Sequence, residues 1–200
     1  MIPLSPQLLV STTLALAGMG AQNDESFGVP APAPDEPVLG ELARPRESWD
    51  LKFVQRCGYW SHYDIATRTS SWPIPYGMTP LEMARFGAAA GILHRTPAYG
   101  DIFLQYSLDT EQFGHVGVVA KTLDGGVRDE DEAEYFDLYT IEGDTDQMGR
   151  PGRGAAVRLT RRLTPDDGDR FLRWSHLDNR DPDDARSTAA FAAVARMRAQ

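Results

Sequence analysis

Four runs in the second half of the chain, Asp101–Tyr106, His115–Lys121, Tyr135–Glu142 and Ala155–Arg162, have the β-branched and aromatic character of strands, with turns between them. Successive strands joined by turns pair antiparallel, so this half is committed to a single antiparallel sheet. The half before it reads as helical. Trp49, Phe53, Cys57, Trp60 and Ile65 recur at helical spacing, which predicts a helix reaching roughly Thr67 with a bend or break at Gly58. Thr79-Pro80-Leu81-Glu82 starts another helix by two independent rules, a capping box and proline at the first helical position. That helix runs to about Ala90, and Gly91 stops it. Helices followed by an antiparallel sheet make the fold class α+β.

The 200 residues suffice for one domain with a full core, and aromatic and aliphatic content is ordinary for a globular chain. Residues 1–22 read as an N-terminal helix or, less favoured, a signal peptide. Leu8, Leu9, Thr12, Leu16 and Met19 share a helical face, and no Lys or Arg precedes Arg44 to give a positively charged leader. The stretch is too short and weakly apolar for a transmembrane helix, and no stable membrane insertion is expected. Residues 23–48, with the Pro-Ala-Pro-Ala-Pro run from Pro30 to Pro34, form an extended connection. Residues 49–178 form the core domain, joined by residues 5–22 if these are helical, and residues 179–200 an Ala- and Arg-rich tail or helix. Within the core, Ser70–Tyr76 reads as a loop, and Phe171 with Trp174 as a short closing helix.

The net charge of −9 argues against nucleic acid as a partner. Charge is uneven: residues 1–149 carry nine Lys and Arg against 22 Asp and Glu, and residues 150–200 carry eleven Arg against seven Asp. Asp124–Asp137 alone holds seven carboxylates and one arginine and reads as an exposed hairpin loop. No Cys/His cluster has zinc-ligand spacing, calcium-loop spacing is lacking, and no cofactor is implied. A monomer is expected.

Cys57 is the only cysteine, so no internal disulfide forms. It is followed by Gly114-His115-Val116-Gly117-Val118-Val119 and then by Ile141-Glu142-Gly143-Asp144. A thiol nucleophile needs a base and a third polar group that holds the base, and strand ends are rigid mounts for both. The competing reading is a small buried thiol beside a core histidine. Among the other histidines, His62 lies five residues past Cys57 and turns away from it on a helix. His94 falls in a loop after a helix and His176 outside the sheet, which leaves His115 as the one histidine on a strand within an apolar run.

Cys57-Gly58-Tyr59-Trp60, Gly100-Asp101-Ile102-Phe103, the His115 strand and Ile141-Glu142-Gly143-Asp144, in this order over roughly residues 5–176, resemble the CHAP family of cysteine- and histidine-dependent amidohydrolases and peptidases. That family lies within the papain-like group that also holds the NlpC-type wall hydrolases. The resemblance implies a papain-like fold, with the cysteine on the helical half and the histidine and carboxylates on the sheet. It implies that Cys57 attacks an amide carbonyl, that His115 is its base, and that water releases the acyl-enzyme. Glu142 would orient the imidazole; Asp144, standing where the family commonly has asparagine, can accept the same N–H, so the orienter is one of the two. The backbone N–H of Cys57 would donate to the oxyanion, with the Gln55 side chain as a further donor. Arg56 reads as pointing to solvent.

The substrate that the resemblance implies is bacterial peptidoglycan, cleaved at an amide bond, with a bacterial or phage origin and extracytoplasmic action. Trp60, Trp72 and Tyr76 are candidate groove aromatics. Two alternatives remain open: a cysteine protease or amidase on a soluble peptide, and a catalytically idle domain of the same fold that binds peptide or glycan.

Overall fold

The computed structural model describes residues 3–18, 49–75, 77–128, 134–143 and 157–177, and two of its helices start at cap residues evident in the sequence. Ser5 supplies its hydroxyl to the amide of Leu8 and its carbonyl to Leu8 and Leu9, and Pro6 opens α1 (Pro6–Gly18). Leu9, Val10 and Thr13 are buried, and the Thr13 hydroxyl returns to the Leu9 and Val10 carbonyls, so its polar group costs little in the core. α2 spans Trp49–Ser61. In α3 (Pro80–Ala89) both halves of the capping box are made: the Thr79 hydroxyl accepts from Glu82 N at 3.2 Å, and Thr79 N donates to the Glu82 carboxylate at 2.6 Å.

Six strands form one sheet: β3 (Leu93–His94), β4 (Ile102–Ser107), β5 (Gln112–Arg128), β6 (Glu134–Glu142), β7 (Val157–Leu163) and β8 (Arg170–Leu172). Their order is β3-β8-β4-β5-β6-β7, and every pairing is antiparallel. Alternation then sorts side chains onto two faces. Ile102, Leu104, Val116, Val118, Ile141 and Leu172 join Leu9, Leu51, Val54, Cys57 and Phe86 of the helices in the main core. Phe103, Val119, Phe136, Leu138, Leu163 and Phe171 form a smaller cluster on the other face. The α+β class is as the sequence indicates.

Several local expectations are corrected. α2 ends at Ser61 rather than near Thr67, and a hairpin of β1 (Tyr63–Asp64) and β2 (Thr69–Ser70) follows. The Asp64 carboxylate accepts from the amides of Ala66 and Thr67, a local turn that competes with the helix. Gly58 lies inside α2, which runs on through it without a break; the Trp72 ring packs where a side chain would project, 2.2 Å from an ideal Cβ. The acidic segment is largely strand: β5 continues to Arg128 and β6 begins at Glu134, leaving 129–133 outside the described residues. Of its described carboxylates Asp124 is exposed and Asp137 is ion-paired with Arg162 of β7, so their charge does not prevent pairing. Phe171 is in β8, between β3 and β4, and His94 is in β3; strands this short are set by the neighbours they pair with rather than by their own periodicity. Trp174–His176 is a short 3-10 turn. Residues 23–48 and 179–200 lie outside the described residues, as do Asp144 and Tyr76.

Gly58→Ala weighs two effects against each other. Helix propensity favours alanine by about 1 kcal/mol, whereas overpacking against Trp72 costs roughly 1–3 kcal/mol. A net loss of stability, read as a lower urea midpoint at unchanged slope, is the expected result.

Candidate active site

β6 ends at Glu142, opposite Gly117 of β5, so the two stretches of backbone part company there. His115 lies two residues before Gly117 and shares its face, which makes His115 and Glu142 diagonal neighbours. Gly117 is required for them to meet. A Cβ there would lie 2.8 Å from Glu142 Cγ and 2.5 Å from the Phe103 ring, in the space the glutamate side chain crosses. With that space open, His115 Nε2 and Glu142 Oε2 are 2.8 Å apart.

The other ring nitrogen meets the first turn of α2. His115 Nδ1 is 2.8 Å from Asp50 Oδ2. That same oxygen accepts from the backbone N–H of Val116 at 3.0 Å, just where β6 has run out, while Asp50 Oδ1 accepts from Leu51 N at 2.8 Å. A carboxylate at a helix N-terminus is favoured by the helix dipole. Glu142 is held in turn by Arg161 of β7, whose Nε donates to Oε1 at 2.7 Å and whose Nη2 donates to Oε2 at 2.5 Å, and by the Thr140 hydroxyl, which donates to Oε1 at 2.6 Å. Arg161 Nη1 also donates to Gln105 Oε1 at 3.3 Å. Asp50, His115 and Glu142 are all buried, at 2%, 9% and 0% exposure.

The protonation state follows from the geometry. A neutral imidazole has one N–H, and both nitrogens here face carboxylate oxygens, so the ring is an imidazolium donating twice. Burial pushes His115 down, but the hydrogen bonds and charges of Asp50 and Glu142 outweigh it and hold the pKa at about 9. Burial pushes Glu142 up, and His115 and Arg161 more than reverse this, bringing it to about 2. The four charges alternate, and each ion is hydrogen-bonded to its neighbours, the condition under which buried charge is tolerated.

Of the residues singled out from sequence, His115 and Glu142 are brought together. Cys57 is not brought to them. It follows Asp50 by seven residues on one helix, about 10 Å along the axis, and is fully buried in the main core. Burial raises the thiol pKa well above its usual value, with Arg56 the charge that opposes this, so Cys57 is a neutral thiol at neutral pH. Arg56 itself is exposed. The Gln55 side chain donates to the Pro75 carbonyl and accepts from Gly77 N, which ties it to the loop before α3. Buried His62 accepts from Ser5 N and packs against both Trp72 and Trp174, which also touch each other, a structural role that anchors the start of α1. Among the described residues no group of His, Cys, Asp and Glu is arranged to hold a metal ion.

Asp50 and Arg161 carry half of this site and were not singled out from sequence. Asp50 offered only an acidic residue in a helix's first turn, which the dipole explains without any site. Arg161 did leave a signal: Leu159 and Leu163 flank it at the strand period, so an arginine holds an inward position on β7. Compared with known proteins, the chain matches no family model, no curated protein and no solved structure.

Two outcomes test the ion network. Arg161→Leu leaves Glu142 buried beside the imidazolium alone and is expected to cost roughly 3–5 kcal/mol by denaturant unfolding, whereas the exposed Arg162→Leu costs under about 1 kcal/mol. His115 has its folded pKa raised, so its contribution to stability is fully present below the ordinary histidine value of 6.5 and is lost as pH rises through about 9. Urea midpoints between pH 6 and 10 should show that fall in the wild type, and His115→Gln should remove this component of the slope.

Proposed function

We propose that the chain is a catalytically idle domain of the papain-like, CHAP-type architecture that binds a peptide or glycan without cleaving it. One observation carries the reading: both nitrogens of His115 are engaged by ionised carboxylates. A doubly donating imidazolium has no lone pair with which to take a proton from a nucleophile, and its raised pKa keeps it so at neutral pH. Support for the architecture comes from the element order, a helix laid on an antiparallel sheet whose adjacent strands bear the histidine and the glutamate. The group at the N-terminus of that helix, facing the imidazole, is the Asp50 carboxylate. Amide hydrolysis through Cys57 with His115 as base, the activity the resemblance implies, would need a thiol two helical turns away to leave the core.

The test sets reactivity beside turnover. Iodoacetamide should label wild-type Cys57 slowly, at the rate of unfolding, and purified peptidoglycan should release no new amino termini. In a Cys57→Ala background, Asp50→Cys installs a thiol at the helix N-terminus against His115 and should be labelled much faster. Fragments released by wild type and lost in both Cys57→Ala and His115→Ala would overturn the idle reading in favour of the hydrolase.

A further inference from the structure

α1 is held on the rest of the molecule by apolar contacts and one hydrogen bond. It carries no charged side chain, and Leu9 and Val10 pack into the main core. Among the described residues, the one hydrogen bond from this helix or its cap to another element runs from Ser5 N to His62 Nε2, at 3.1 Å. The groups around that bond close a circuit. Pro6 sits on the backbone of Gly100, where an ideal Cβ would lie 2.4 Å from Pro6 Cβ. The Gly100 carbonyl accepts from Trp174 Nε1 at 2.8 Å. The Trp174 ring meets His62 nearly at right angles with centroids 5.1 Å apart, and Trp72 packs on both, 4.7 Å from Trp174 and 5.7 Å from His62.

The partners of His62 fix its tautomer. A backbone N–H only donates, so Nε2 accepts and carries no proton. Nδ1 carries the proton and faces Ser61 Oγ at 2.7 Å and the Gly58 carbonyl at 3.1 Å, both acceptors. A second proton would enter at Nε2 and meet the Ser5 N–H, so a charged ring and that bond exclude each other. No charged group is placed to offset this. α1 brings none, and neither do residues 71–75 around Trp72. Beside Trp174, Arg173 is engaged by Asp101, while His176 is exposed and lies against His94. On α2 and the hairpin after it, Arg56 is exposed and the Asp64 carboxylate accepts from the Ala66 and Thr67 amides. Burial pushes the His62 pKa below its ordinary value of 6.5, and the Gly58 carbonyl opposes this only in part.

We propose that His62 is a proton-operated latch on α1: neutral, it holds the helix start on the core, and in mild acid it takes a proton from solvent, gives up Ser5 and lets α1 undock. Undocking uncovers the apolar surface of α2 and of the sheet that Leu9 and Val10 cover. The latch is independent of the His115 network and of the idle-domain reading. Its direction follows from the tautomer. Above the ordinary histidine pKa the ring is neutral whether α1 is docked or free, and pH has no effect. Below it the free state takes up a proton that the docked state refuses, so the equilibrium moves toward release as pH falls.

Hydrogen exchange of the α1 amides, read by mass spectrometry at about pH 7.5 and about pH 5 and corrected for intrinsic rates, tests this in the full chain. Exchange in α1 should be about tenfold faster in acid, while β4 and β5 keep their protection. His62→Gln can accept from Ser5 and donate to Gly58 without titrating, and should keep α1 protected at both pH values. His94→Gln removes a different half-buried histidine and should leave the acid response of α1 intact. The His62 ring, followed by NMR in the wild type, should titrate below 6.5, a measurement that needs no substitution. Acid-insensitive exchange in α1, opening of β4 and β5 together with it, an acid response that survives in folded His62→Gln or vanishes in His94→Gln, or a ring that titrates at or above 6.5 would each overturn the proposal.

Discussion

The cation at His115 holds the two halves of the molecule in register. One ring nitrogen reaches the first turn of α2 and the other the end of β6, so a single side chain joins the helix to two neighbouring strands. Arg161 extends the join to β7. Buried charge of this kind is expensive unless every member is paired, and here the alternation of sign from Asp50 to Arg161 supplies the pairing. Asp50 also answers a backbone problem. It takes the Val116 N–H where the ladder to β6 has stopped, so ending the strand early leaves no orphaned donor.

The same arrangement underlies the idle reading that we propose. A thiol–imidazole pair needs a proton acceptor and a reachable sulfur, and the two needs fail for separate reasons. The acceptor is occupied on both sides by carboxylates, and the sulfur lies two turns along the helix in an apolar core. Both follow from one register: with Asp50 at the helix start, the seven-residue spacing sends Cys57 inward on the same face of α2 but away from His115.

Much of this was legible in the sequence. The capping box at Thr79, the four long strands and the α+β class came from local rules that tertiary structure had no reason to override. The pairing of His115 with a carboxylate on the next strand was legible too, and Glu142 is that carboxylate. The rest failed where a local signal was weaker than its context. Gly58 reads as a breaker until Trp72 supplies the reason for it, and β8 is too short to show a period. Cys57 drew attention as the only thiol, while Asp50, seven residues earlier, carried no chemical oddity. A solitary reactive residue type is conspicuous in a sequence, but the position that matters is set by the start of the helix.

Gly117 shows how narrow the tolerance of the centre is. The site hangs on an absence, the missing methyl group that lets a glutamate lie flat across a strand and meet the histidine two residues away. A side chain there would press into the buried Phe103 ring, and it would also separate the acid from its base and strand an arginine and an imidazolium in the interior. Mutational robustness in this fold is therefore uneven in a way that side-chain volume does not reveal. One achiral position in the middle of the sheet guards the electroneutrality of the interior.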